Sequence, residues 1–134
     1  MSITEHKITV DSLEWFYRQV EPVGRSDLLP VLFLHGLVSQ SYSWRSGFSA
    51  KPEKRDFAYT PEAYIKALNG FIEALELERF SLVVQGFLGS VGLQYALRNP
   101  DKIAGIIILN TPISSSAKLP WKIKQMGLPL AGEM

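Results

Sequence analysis

The residues able to do chemistry in this chain are few, and their order along it works against catalysis. None of the 134 residues is a cysteine, which removes disulfides, thiolate metal sites and cysteine nucleophiles together. The two histidines, His6 and His35, both fall in the first third. Asp11, Asp27, Asp56 and Asp101 read as turn or surface carboxylates, and no paired-carboxylate site is visible. The string Gly89-Ser90-Val91-Gly92 offers one hydroxyl, that of Ser90. A serine attacks only when a base lies within hydrogen-bond reach, and no histidine follows this one. No metal site and no cofactor is expected.

The elements that must position these residues alternate between two periods. Ile3 to Val10 and Leu13 to Val20 read as two strands with Asp11-Ser12 as their turn. Val31 to Leu34 is a short apolar run, as expected for a strand buried on both faces of a parallel sheet. Residues 37–59 show no strand pattern. Thr60 is a good N-cap with Pro61 at the first helical position. Apolar residues from Tyr64 to Leu75 then recur at three- and four-residue spacing, giving an amphipathic helix to about Leu77. Phe80 to Val84 is a second buried strand and Gln85 to Gly89 a tight turn. A second helix runs from there to about Arg98, stopped by Asn99-Pro100. Ile103 to Leu109 is the third central strand. A short helix is expected near Trp121 to Met126.

Strand, helix, strand, helix, strand implies crossover connections and a parallel sheet. Ligands of such sheets sit at the carboxyl ends of the strands, so the loops after Leu34, Val84 and Leu109 should form any site. The composition, 46% hydrophobic and 20% charged, fits one ordinary domain at most. A net charge of +1 gives no reason to expect nucleic acid or an anionic membrane as a partner. The polar start, MSITEHKITVDS, is no secretory signal, and the longest apolar runs fall far short of a membrane span. The expected compartment is the cytoplasm, or an organelle such as a plastid if a targeting segment has been trimmed.

The three loops also carry a family likeness. Val31-Leu32-Phe33-Leu34-His35-Gly36, followed by Ser41-Tyr42-Ser43-Trp44-Arg45, resembles the oxyanion loop of α/β-hydrolases, in the epoxide hydrolase and haloalkane dehalogenase branch. Phe71 to Phe80 is similar to the helix and turn before the nucleophile strand, and Ser81 to Ser90 to the strand and elbow. Tyr95 to Ile103, then Ile106 to Pro112, match the elements that follow. The resemblance implies a partial α/β-hydrolase fold: a mostly parallel sheet with an N-terminal antiparallel hairpin. It divides the chain into a core over 1–112 and the start of a lid or cap over 113–134. Lys118 to Lys124 with Trp121 then belongs to that lid; its other reading is a membrane-surface segment.

Three departures limit what the likeness implies. The family elbow is small-x-nucleophile-x-small on a strained turn. Aligned without gaps, the elbow here is Val84-Gln85-Gly86-Phe87-Leu88, so Gly86 fills the nucleophile slot. Glycine suits the strained backbone but cannot attack. Ser90 is the weaker rival, because Leu88 stands where a small residue is needed and Ser90 falls on the first helical turn. Secondly, Arg45 passes directly to Ser46, where the family has a further helix and strand; roughly two dozen residues, one αβ step, are missing at usual element lengths. Thirdly, the family's acid and histidine come after the elbow, and no histidine does here.

The expected function follows: an α/β-hydrolase-family protein, truncated and non-catalytic as written. The alternatives are an ester- or epoxide-type hydrolase in full-length form, or a pseudoenzyme binding a small apolar ligand or a partner. The pocket implied by the resemblance comprises His35, Gly36, Leu37, Gln85 and Phe87. His35 shapes the loop, and Leu37 and Phe87 supply two backbone N–H donors. Loss of the missing strand should leave the hairpin poorly anchored. Strand Ile103 to Leu109 should become an open apolar edge, inviting self-association.

Overall fold

The computed structural model describes residues 2–24, 27–35, 47–48, 55–86, 89–111 and 113. The first two strands, β1 (Ser2–Val10) and β2 (Leu13–Glu21), form an antiparallel hairpin with Ser2 opposite Glu21 and Val10 opposite Leu13. Asp11 and Ser12 connect them at φ values of 48° and 65°. A two-residue loop with both φ positive twists in the same sense as the strands and so closes the hairpin without splaying it. Cross-strand ion pairs Lys7–Glu14 and Arg18–Glu5 lie on the hairpin's solvent side.

The parallel sheet has the order β3 (Val31–Leu34), β5 (Phe80–Gln85), β6 (Ile103–Leu109), with Leu34 level with Val84 and Gln85 level with Leu109. Helices α1 (Pro61–Ala74) and α2 (Gly89–Arg98) pack on the side of Leu82 and Val84. There Leu68, Ile72, Phe80, Leu82, Val84 and Tyr95 make the main core. Fully burying an aliphatic or aromatic side chain of this size stabilises by about 1.5–3 kcal/mol. Helix α1 starts as expected: the Thr60 hydroxyl accepts the Ala63 N–H at 3.2 Å.

Three expectations need correction. Helix α1 ends at Ala74, not Leu77. Glu76 adopts φ 53°, its N–H bonds the Glu73 carbonyl, and the Leu77 N–H reaches back to the Ile72 carbonyl. This is a Schellman closure, with Leu77 returning to the core beside Ile72, so the apolar period outlasts the helix. A two-residue strand, β4 (Gly47–Phe48), pairs with Trp15 and Phe16 in a stretch whose sequence carries no strand pattern. Strand β3 is not buried on both faces: Val31 is 50% exposed and Phe33 38%. Strand β6 lies at the edge of the sheet among the described residues, and Ile107 is 56% exposed.

The hairpin and the parallel sheet are separate sheets among the described residues; beyond β1, strand β2 carries only β4. The hairpin is nevertheless anchored, through α1 rather than through a ladder. Trp15 stacks on Phe71 with ring centroids 4.3 Å apart, and Leu13, Phe57 and Ala67 complete a second core. Leu32 of β3 touches both cores and ties the two halves together. Of the expected lid, 113–134, all but Ile113 lies outside the described residues.

Candidate functional site

The carboxyl ends of the three parallel strands meet at one edge. His35 follows β3 directly, Gln85 and Gly86 end β5, and Asn110 and Thr111 follow β6. The strand register sets their levels: His35 is one residue past the Leu34–Val84 pair, and Asn110 is one past the Gln85–Leu109 pair. The sheet thus brings together His35, Gln85 and Gly86. Gly36, Leu37 and Phe87 lie outside the described residues, as do Tyr42 and Trp44.

Gly86 sits at φ +66°, in the left-handed region that a side chain disfavours. Its N–H donates to the Leu109 carbonyl at 3.1 Å, and its own carbonyl accepts the Gly89 N–H at 3.1 Å. The turn from β5 into α2 is therefore fastened at both ends by backbone bonds. Thr111 completes the fastening. Its hydroxyl donates to the same Leu109 carbonyl at 3.3 Å, and a Cβ placed on Gly89 would overlap Thr111 Oγ1. Glycine at 89 is what lets the helix start approach the end of β6.

The seating of α2 explains a further glycine. A Cβ on Gly92 would lie 2.6 Å from Val84 Cγ1 and 3.1 Å from Leu34 Cδ1, so α2 rides directly on β5 and β3. Ser90 lies in the first turn of that helix, half-buried and not on the turn. The sequence places the loop after Leu109 at the site but singles out neither Asn110 nor Thr111 in it. The signal they do carry is position: they follow a parallel strand whose end is level with the Gly86 turn. No cluster of three or more His, Asp or Glu able to hold a metal occurs among the described residues. Nor is any described helix long and apolar enough to cross a membrane.

Chemically, the edge offers an imidazole, an amide, a hydroxyl and a strained glycine turn.

No protein-family model matches the chain. It is 29% identical to a haloalkane dehalogenase of Agrobacterium fabrum, over 107 positions that take in 68% of this chain and 35% of that one. Because 68% of 134 residues is about 91, about 16 of the 107 positions have no counterpart here. The chain spans about a third of the length of the first curated relatives it matches. Among solved structures, the haloalkane dehalogenase DbeA of Bradyrhizobium elkani superposes with a TM-score of 0.66 at 26% identity, covering 82% of this chain and 42% of that one. A Bacillus megaterium epoxide hydrolase, solved as a point mutant with its product, superposes at 0.64 with 23% identity, covering 80% and 42%. By these likenesses the chain belongs to the α/β-hydrolase fold family, beside haloalkane dehalogenases and epoxide hydrolases.

Proposed function

We propose that this chain is a non-catalytic, internally shortened α/β-hydrolase scaffold that keeps the frame of an active site without its attacking group. One observation carries the reading: Gly86, which the family's elbow pattern puts in the nucleophile slot, sits at φ +66° after β5 and has no side chain with which to form a covalent intermediate. Both histidines of the chain precede the turn. The shortening is supported by the Agrobacterium relative's positions that have no counterpart in this chain and by the separation of hairpin and parallel sheet among the described residues. In this reading the pocket of His35, Gly36, Leu37, Gln85 and Phe87 holds a small apolar ligand or a partner. Backbone N–H groups there would bind a carbonyl or carboxylate without turning it over. The chain works in the cytoplasm, or in an organelle if a leader is removed, and associates with itself through its open sheet edge.

The test is turnover. Purified chain incubated with a 1-haloalkane, an epoxide and a p-nitrophenyl ester should show no product above buffer. Turnover that disappears in Ser90→Ala would overturn the reading. A second reading, an active hydrolase in full-length form, is favoured by the relatives' names and by the third of their length that the chain spans. The coding sequence around Arg45-Ser46 and beyond Met134 decides between them. An intervening strand with an acidic loop, a downstream acid and histidine, and a nucleophile in place of Gly86 would establish the second.

A further inference from the structure

We infer that the Asn69-Gly70 pair of α1 is a deamidation site held off by the fold, so that a chain whose α1 stays open is modified there and refolds less stably. The inference does not use the catalytic reading, so turnover would leave it standing.

The chemistry needs only the chain and water. The backbone nitrogen of Gly70 attacks Asn69 Cγ and closes a cyclic imide. The bond from Cγ to the side-chain nitrogen breaks, and that nitrogen leaves as ammonia, carrying the proton of the backbone N–H. Water then adds to one of the two imide carbonyls. One opening leaves aspartate; the other leaves isoaspartate, whose main chain runs through the former side chain. Glycine in the following position offers the least hindrance to ring closure, because it has no Cβ. The chain has three asparagines, Asn69, Asn99 and Asn110. Asn99 precedes Pro100, which has no N–H to close the ring, and Asn110 precedes the β-branched Thr111. The chemistry therefore selects Asn69.

Two features of the helix oppose the reaction. Within α1 the Gly70 N–H belongs to the helical ladder, directed at the carbonyl of Lys66. The Asn69 Nδ2 donates to Glu73 Oε1 at 2.7 Å, which ties the side-chain amide to the next turn.

The position makes the product damaging. Ala67 and Phe71 belong to the core beneath the hairpin, and Leu68 and Ile72 to the main core. The pair thus lies between the residues that α1 gives to both. Aspartate at position 69 would face the Glu73 carboxylate, a like-charge pair one turn apart. Isoaspartate lengthens the backbone there and breaks the register that sets Phe71 on Trp15 and buries Ile72. Because the hairpin is anchored through α1, the same event loosens it.

The test incubates the full chain in mildly alkaline buffer, with and without concentrated urea. It follows the tryptic peptide 67–79, in which Asn69 is the only side-chain amide. Exchange of NH2 for OH in that peptide should be at least about tenfold slower without urea, because the reaction tracks the open population. Glu73→Ala introduces a good helix former and should narrow that gap while leaving the urea rate unchanged. Gly70→Ala should slow the reaction in urea. Asn69→Asp should lower the urea midpoint of unfolding, and adding Glu73→Gln should restore it. Equal rates in buffer and urea, or faster exchange at Asn99 or Asn110, would overturn the inference. So would a Glu73→Ala gap as wide as that of the wild type, or an Asn69→Asp chain as stable as the wild type.

Discussion

Replacing Gly92 by alanine tests how closely α2 is seated on the sheet, and hence how the Gly86 turn is held. The new Cβ would meet Val84 Cγ1 at 2.6 Å and Leu34 Cδ1 at 3.1 Å, against about 3.5–4.0 Å for an unstrained carbon contact. Val84 is fully buried, and its branched side chain is stiff at χ1, so it cannot swing away. Relief must come from lifting α2. Overpacking of this kind costs about 1–3 kcal/mol, and contact with two neighbours places it at the upper end. Alanine recovers about 1 kcal/mol of helix propensity over glycine. The net expectation is a loss of about 2 kcal/mol. Gly70 on α1 supplies the control, since its added Cβ would meet only the Val10 side chain closely, at 3.0 Å. Val10 is only half-buried and can give, so Gly70→Ala should be neutral or gain up to about 1 kcal/mol. Urea melts followed by circular dichroism, at one protein concentration because association shifts apparent stability, give both values. A Gly92→Ala variant as stable as Gly70→Ala would refute the close seating of α2.

Tyr95 is fully buried and its hydroxyl has no hydrogen-bond partner among the described residues. Burial, with Glu73 nearby adding to it, pushes the phenol above its ordinary range. An unmade buried hydrogen bond costs about 1–3 kcal/mol, so Tyr95→Phe should raise the urea midpoint; a lowered midpoint contradicts it. Arg98 donates to both Glu62 oxygens, at 2.8 and 2.9 Å, joining the end of α2 to the start of α1. Those hydrogen bonds hold the Glu62 carboxyl below its usual range. A depressed carboxylate stabilises at neutral pH and loses that contribution as pH falls through its folded value. The stability gap between wild type and Arg98→Gln should therefore close in acid. Because the pair is exposed, the gap should also shrink in high salt. A gap that persists below the carboxylate range would exclude this ion pair as its source.

Local chemistry made most of the fold legible. The turn at Asp11-Ser12, the Thr60-Pro61 helix start and the apolar runs at Val31, Phe80 and Ile103 each mark an element where it forms. What escaped the sequence depends on neighbours. An apolar strand reads the same whether or not something covers it, so the exposure of Val31 and Phe33 could not be seen. Leu75 and Leu77 continue the helical period because both return to the cores, although the backbone has already turned left-handed at Glu76. Gly47–Phe48 is a strand only because β2 offers an open edge. At the site, Gly86 was legible from its place between strand and helix. The Leu109 carbonyl that fastens it, shared with Thr111, was not, because strand register is a tertiary fact.

The most direct test of the central claim is the intact mass of the chain after incubation with a substrate that acylates or alkylates elbow nucleophiles, such as a p-nitrophenyl ester or a 1-haloalkane. With Gly86 in the nucleophile slot, the mass should remain 15.0 kDa with no adduct. An adduct that maps to the peptide spanning residues 80–98 would contradict the account.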